Sequence, residues 1–206
     1  MTKKKKDDEK KERRPWVPYD AIVELPEWKV GEIVAGELQV SPRPASWHAI
    51  GSSTLGIRIG GPFQEGIGGP GGWWILDEPE LHLGRDIVIP DIAGWRVERM
   101  PETPNVPYFT LAPDWICEFL SPSTERIDRS KKADIYARER VAHLWIVNPV
   151  KRSLETHRRE GEKWLLLDTF IGDVMVRAEP FEAVELDLAA VWRKMRASGS
   201  TGGTRP

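Results

Sequence analysis

The stretch Pro113–Tyr136, PDWICEFLSPSTERIDRSKKADIY, places a carboxylate where a folded chain can least accommodate one. Trp115, Ile116, Cys117, Phe119 and Leu120 make an apolar run rich in strand formers, and Glu118 stands inside it. A carboxylate in a buried strand is costly unless something pairs with it, so the fold must bring a partner to Glu118. The run stops at Ser121-Pro122-Ser123, a turn signal, and gives way to a charged segment with helical spacing that extends to about Arg140. On it Asp128, Lys132 and Tyr136 stand four apart and share one face.

Around this stretch the chain alternates apolar pieces with breakers. Residues 2–14, TKKKKDDEKKERR, carry eight basic and four acidic residues and nothing apolar, which predicts a disordered charged tail over 1–14. Residues 32–40 read as two short strands around a Gly36 turn. Trp47, Ile50, Leu55 and Ile59 fall near helical spacing and predict a helix over 46–59, with His48 in it. Seven glycines and two prolines in 60–72 predict a loop. It lacks the spacing of a phosphate-binding loop, so no small-molecule organic cofactor is expected. Strands follow at 73–76, at 80–83, and at 86–95, the last interrupted by Pro90, which has no N–H for a ladder. Another strand is expected at 143–149, then two around a Gly161 turn, a short one over 173–177 and a terminal helix over 189–196. The final residues, 198–206, are composed as a flexible end. A strand–helix–strand unit across 115–148 implies a parallel pair, hence an α/β fold with a mixed sheet and helices packed on it.

Composition excludes several classes. One cysteine, Cys117, permits no intrachain disulfide and no cysteine metal cluster, and it suits a reducing cytoplasm. No apolar run reaches the length a membrane helix needs, so no membrane association is expected. A net charge of −2 gives no global basic field, so contact with nucleic acid would rely on a local patch. Ten tryptophans predict thick packing layers or an interface.

Asp91 and Glu118 both lie in apolar strands. If those strands are neighbours the carboxylates meet, and two carboxylates that meet repel unless one is protonated or a cation lies between them. Oxygen-only ligation suits Mg²⁺ or Mn²⁺, and a lysine beside such a centre, Lys132, suits phosphodiester hydrolysis. Composition and spacing equally allow a structural arrangement, in which Asp91 bonds backbone amides and Glu118 pairs with Lys132 or Arg129.

The pattern Pro90-Asp91, then Pro113-Asp114-Trp115-Ile116-Cys117-Glu118-Phe119-Leu120-Ser121-Pro122-Ser123-Thr124, then Asp128, Lys132 and Tyr136, then Leu144-Trp145-Ile146-Val147, resembles the Uma-type restriction endonuclease family of the PD-(D/E)XK nuclease-like superfamily. The resemblance covers roughly 18–190, with Glu32, Gly36, Glu37 and His48 as looser matches. It implies one nuclease-like domain over 15–197, with a restriction-endonuclease-like core of helices on a central mixed sheet and extra antiparallel strands. It implies Asp91 and Glu118 as metal ligands and Lys132 as the catalytic lysine, moved to the helix because Leu120 occupies the usual place. Lys131 is the fallback, Glu80 the further acidic metal ligand with Glu78 or Glu32 as its alternatives, and Tyr136, Asp128 and His48 are supporting groups. DNA is the implied partner and a homodimer the implied assembly. The sequence departs from the family in carrying Arg140, where a glycine is usual, and Asn148, where an aspartate is usual. Two functions compete on this reading. One is a metal-dependent DNA endonuclease. The other is a catalytically inactive binding or assembly module that keeps the fold, motivated by the near-neutral charge and the tryptophans.

Overall fold

The computed structural model describes residues 16–194. The tail expected over 1–14 and the end expected over 198–206 lie outside them. In chain order the elements are α1 (Asp20–Val23), β1 (Lys29–Val34), β2 (Glu37–Pro42), α2 (Ser46–Phe63), β3 (Trp73–Asp77), β4 (Leu81–Leu83), β5 (Asp86–Val88), β6 (Ile92–Arg96) and β7 (Trp115–Phe119). Then come α3 (Glu125–Ile127), a π-helical turn (Asp128–Lys132), α4 (Ala133–Arg138), β8 (His143–Asn148), β9 (Ser153–Glu160), β10 (Lys163–Ile171), β11 (Met175–Val176), β12 (Leu186–Asp187) and α5 (Leu188–Lys194).

A six-stranded sheet in the order β10-β9-β8-β7-β6-β3 forms the centre. Its one parallel pair is β7 with β8, joined by the helical crossover; its other pairs are antiparallel. Strand alternation sorts β7 onto two cores. Trp115, Cys117 and Phe119 pack with α2, α5 and Phe181. Ile116 and Leu120 face α4 and a second, four-stranded sheet of order β2-β1-β5-β4. Glu118, two residues from each of these, therefore points to the α4 side. The tryptophans account for much of the thickness. Phe181 meets the rings of Phe63, Trp73, Trp115 and Trp145 at centroid distances of 4.7, 5.0, 4.8 and 5.6 Å, separations at which aromatic pairs attract beyond simple burial. Among the described residues no helix is long and apolar enough to cross a membrane.

Two expectations change. The strand expected over 86–95 is two strands, and they belong to different sheets. Val88 ends β5 in the four-stranded sheet, and Ile92 opens β6 in the six-stranded one. Pro90 lies in the gap, where its missing N–H leaves no ladder bond unmade. The glycine-rich 60–72 segment is not wholly a loop, because α2 runs on to Phe63 with Pro62 inside it. Ile59 and Phe63, four apart and both buried, hold that last turn on the core. Propensity alone would have ended it sooner.

The crossover helix ends in a tight cap. The N–H of Val141 donates to Tyr136 O (2.9 Å) and that of Arg140 to Ala137 O (3.1 Å), the Schellman pattern, which needs a left-handed residue. Arg140 takes that place with φ +65°, and it is the residue that stands where the family usually has glycine. Arg140→Gly is expected to raise stability by about 0.5–1 kcal/mol, the relief of left-handed strain less the added freedom of the unfolded chain. Urea denaturation of both proteins checks it; equal or lower stability would refute the strain.

Candidate functional site

Asp91, Glu118, Lys132 and Tyr136 come together where the two sheets meet. Ile92 pairs with Cys117 across β6 and β7, so the register carried one residue further sets Asp91 opposite Glu118. Asp91 Oδ2 accepts the N–H of Phe119 at 2.6 Å, which ties the crossing point between the sheets to β7. Glu118 Oε1 accepts from Tyr136 Oη at 2.6 Å and lies 2.9 Å from Lys132 Nζ. Both contacts use one oxygen, and Oε2 takes part in neither. The π turn sits just before these contacts, with the N–H of Ala133 bonding Asp128 O five residues back. Such turns are rare and recur at functional sites. Here it delivers Lys132 and Tyr136 to the same carboxylate.

Lys132 has more than one acidic neighbour. Glu32 Oε1, from β1, lies 3.0 Å from Nζ and also accepts the N–H of Ile89 at 2.7 Å. Asp128 Oδ1 is 3.6 Å away on the same helix. The ammonium also reaches Ile89 O at 3.4 Å. His48, buried on the first turn of α2, has Nε2 2.9 Å from Phe119 O and 3.5 Å from Asp91 Oδ1. Its Nδ1 is buried with no partner among the described residues.

The electrostatics follow from counting charges. Four carboxylates (Glu32, Asp91, Glu118 and Asp128) surround one lysine. Burial raises the Glu118 pKa well above the usual carboxylate range; Lys132 opposes this, and Asp128, Asp91 and Glu32 add to it. Burial alone would lower the Lys132 pKa, but the carboxylates, Glu118 foremost, carry it well above its ordinary value. The excess of negative over positive charge pushes both groups upward, joining burial at Glu118 and overriding it at Lys132. Burial likewise lifts Asp91 to about 6, against the pull of His48, the Phe119 amide and Lys132.

The remaining candidates fall elsewhere. Glu80 does not join the group. Leu81 and Leu83 bury their side chains, so the alternation of the strand turns Glu80 and His82 to the other face, where Glu80 Oε1 bonds Tyr19 Oη at 2.9 Å and His82 Nε2 at 2.6 Å. Lys131 turns away from the centre and pairs with Glu37 at 2.7 Å. Glu78 lines the same cavity as the centre, and its N–H donates to Asp91 O. Glu32, read from the sequence as a possible ligand, is seated against the lysine. The cavity walls include Arg43 and Trp47, which no motif singled out because they straddle a proline-rich break and a helix start.

The donor set suits a hard cation. It is all oxygen, its four carboxylates face a single ammonium, and no arginine bonds Asp91 or Glu118 among the described residues. Among those residues no three of His, Cys, Asp and Glu converge as a metal cage. Mg²⁺ does not require one, since it commonly takes one or two carboxylates and fills its octahedron with water and phosphate oxygens.

A family model described as "Uma2: Putative restriction endonuclease" matches residues 17–190. The chain belongs to the Uma2 family. A solved structure titled as a putative nuclease belonging to DUF820, from Anabaena variabilis ATCC 29413, superposes with a TM-score of 0.69 at 19% sequence identity. The match covers 87% of this chain and 99% of that one, and it shows a shared fold. No curated protein sequence matches the chain. The Uma2 assignment agrees with the α/β restriction-endonuclease-like core seen here, with its central mixed sheet.

The raised Asp91 pKa has a signed consequence. The folded state keeps the proton to about pH 6 and the unfolded state to about 3.8, so between those values the folded protein binds more protons and its stability falls as pH rises. Asp91→Asn should therefore stabilise the metal-free protein at pH 7 by about 1–3 kcal/mol. The gain should vanish near pH 4. Denaturation at the two pH values checks this, and a destabilised variant at pH 7 would contradict it.

Proposed function

We propose that this Uma2 protein is a metal-dependent nuclease that hydrolyses phosphodiester bonds in DNA, with Asp91, Glu118 and Lys132 as its centre. The observation that carries the reading is the meeting of Asp91 and Glu118 with a buried lysine at the floor of a cavity of about 390 Å³, in a chain of a family described as restriction endonucleases. Asp91 and Glu118 would hold Mg²⁺ or Mn²⁺. When bound, such an ion polarises a phosphate and lowers the pKa of water.

The protein's own groups have separable tasks. The Phe119 amide fixes the Asp91 carboxylate. Tyr136 fixes Glu118 through Oε1. Glu32, anchored on the Ile89 amide, holds the Lys132 ammonium. That ammonium supplies positive charge where the pentacovalent transition state gathers negative charge, and a preorganised charge in a dry site acts more strongly there than in water. Cutting both strands of a duplex would call for two copies, which is the basis for expecting a homodimer.

A second reading has its own support. The Lys132 ammonium is fully engaged by carboxylates, as it would be in a catalytically inactive binding or assembly module. Incubation of the full chain with DNA and Mg²⁺ or Mn²⁺ separates the two. Strand scission is expected from the wild type, with a loss of about 10²–10³-fold in Glu118→Gln and in Lys132→Met. Thermal melting should show both variants folded. An inert wild type leaves the binding module standing, and a Glu118→Gln protein that cuts equally well removes this centre from the reaction.

A further inference from the structure

The carboxylates of the proposed centre are hard to reach. The Glu118 side chain is 3% exposed and that of Asp91 15%. They sit at the floor of the 390 Å³ cavity, near the low end of the roughly 300–1,000 Å³ that accommodates one small ligand. A space of this size admits one nucleotide.

The walls favour an unstacked base. Trp47, half-buried on the first turn of α2, lines the cavity together with Pro42, Pro44 and Pro122. Flat apolar walls of this kind accept any base by its face, and an aromatic platform is a recurrent device in single-strand binding. Arg43, also in the wall, bonds only the Glu27 carbonyl O, at 3.3 and 3.4 Å, and has no carboxylate partner among the described residues. Its charge is available to a phosphate.

On the neighbouring helical crossover Arg126 is exposed with no acidic partner among the described residues, and three other basic residues are occupied. Arg129 makes a two-point pair with Glu155 and a further contact with Glu125; Lys131 is held by Glu37, and Arg138 by Asp86. Affinity for duplex grows with the number of phosphates neutralised, and this face offers few free cations for the purpose.

We propose that the site takes an unpaired strand, one nucleotide at a time, with the base on Trp47 and the phosphate between Arg43 and the Asp91–Glu118 centre. The proposal rests on the nuclease reading. The base acts as a handle and the phosphate as the reacting group, so sequence preference is low and strand pairing is the discriminating property.

The test uses the full chain and a fluorescein-labelled oligonucleotide, alone or annealed to its complement. Binding is measured by anisotropy in Ca²⁺, and scission separately in Mg²⁺ or Mn²⁺. The single strand should bind at least about tenfold more tightly than the duplex. Trp47→Ala should weaken single-strand binding about tenfold or more, the range found for loss of one base–aromatic stack, and Trp47→Phe should restore most of it. Arg43→Ala should reduce the salt slope of single-strand binding by about 0.7. Equal or tighter binding of duplex, no binding of either form, or an unchanged affinity in a folded Trp47→Ala overturns the proposal. Trp47-dependent single-strand binding without scission would sink the nuclease reading and leave this one intact. Scission of duplex as fast as single strand would do the reverse.

Discussion

A single ammonium holds this structure's most expensive region together. Lys132 stands between Glu118, Glu32 and Asp128, and each of those carboxylates comes from a different element: β7, β1 and the π turn. Without it, several negative charges would share a dry space, which costs several kcal/mol per uncompensated ion. The contact is therefore also architectural. β1 belongs to the four-stranded sheet and β7 to the six-stranded one, so the lysine joins the two layers. A second polar tie acts farther along the same helix, where Asp86 of β5 accepts from Arg138 and from the Ala35 amide.

The same arrangement explains why the centre is strained electrostatically and orderly geometrically. Three of its four acids have a fixed donor: the Phe119 amide for Asp91, the Ile89 amide for Glu32, and the Tyr136 hydroxyl for Glu118. Two of these positions are set by backbone amides and one by a buried hydroxyl, while the charge stays in excess. A site built in this way is prepared to receive positive charge with little movement, the condition under which electrostatic stabilisation of a transition state is strongest.

Parts of this were legible in the sequence. Glu118 stood out because an acid interrupts an apolar run, and Lys132 and Tyr136 because helical spacing puts them on one face; the structure brings all three together. Asp91 was visible through its place after Pro90. The break of that segment into two sheets was not, since a proline marks an interruption without saying where the chain goes next. Glu80 looked as eligible as Glu32, because nothing in composition states which face of a short strand an acid occupies. The buried leucines beside it decide that. The π turn left no periodic signature, and Arg43 and Trp47 gain their common setting only from the fold.

The passage of the chain from one sheet to the other at Pro90 and Asp91 has a consequence for register. A strand in a sheet can slip by one residue, and such a slip exchanges its inner and outer faces. β6 is not free to do so. The residue just before it is bonded to the Phe119 amide on its neighbour, and the strand just before that is locked in the other sheet. A slip of β6 against β7 would have to drag the second sheet with it and turn Ala93 and Trp95 out of the core they share with α4 into the opposite core, which already holds Trp73 and Trp115. The crossing therefore works as a pin. It fixes the alignment of the central strands at the one point where the candidate chemistry needs two carboxylates face to face.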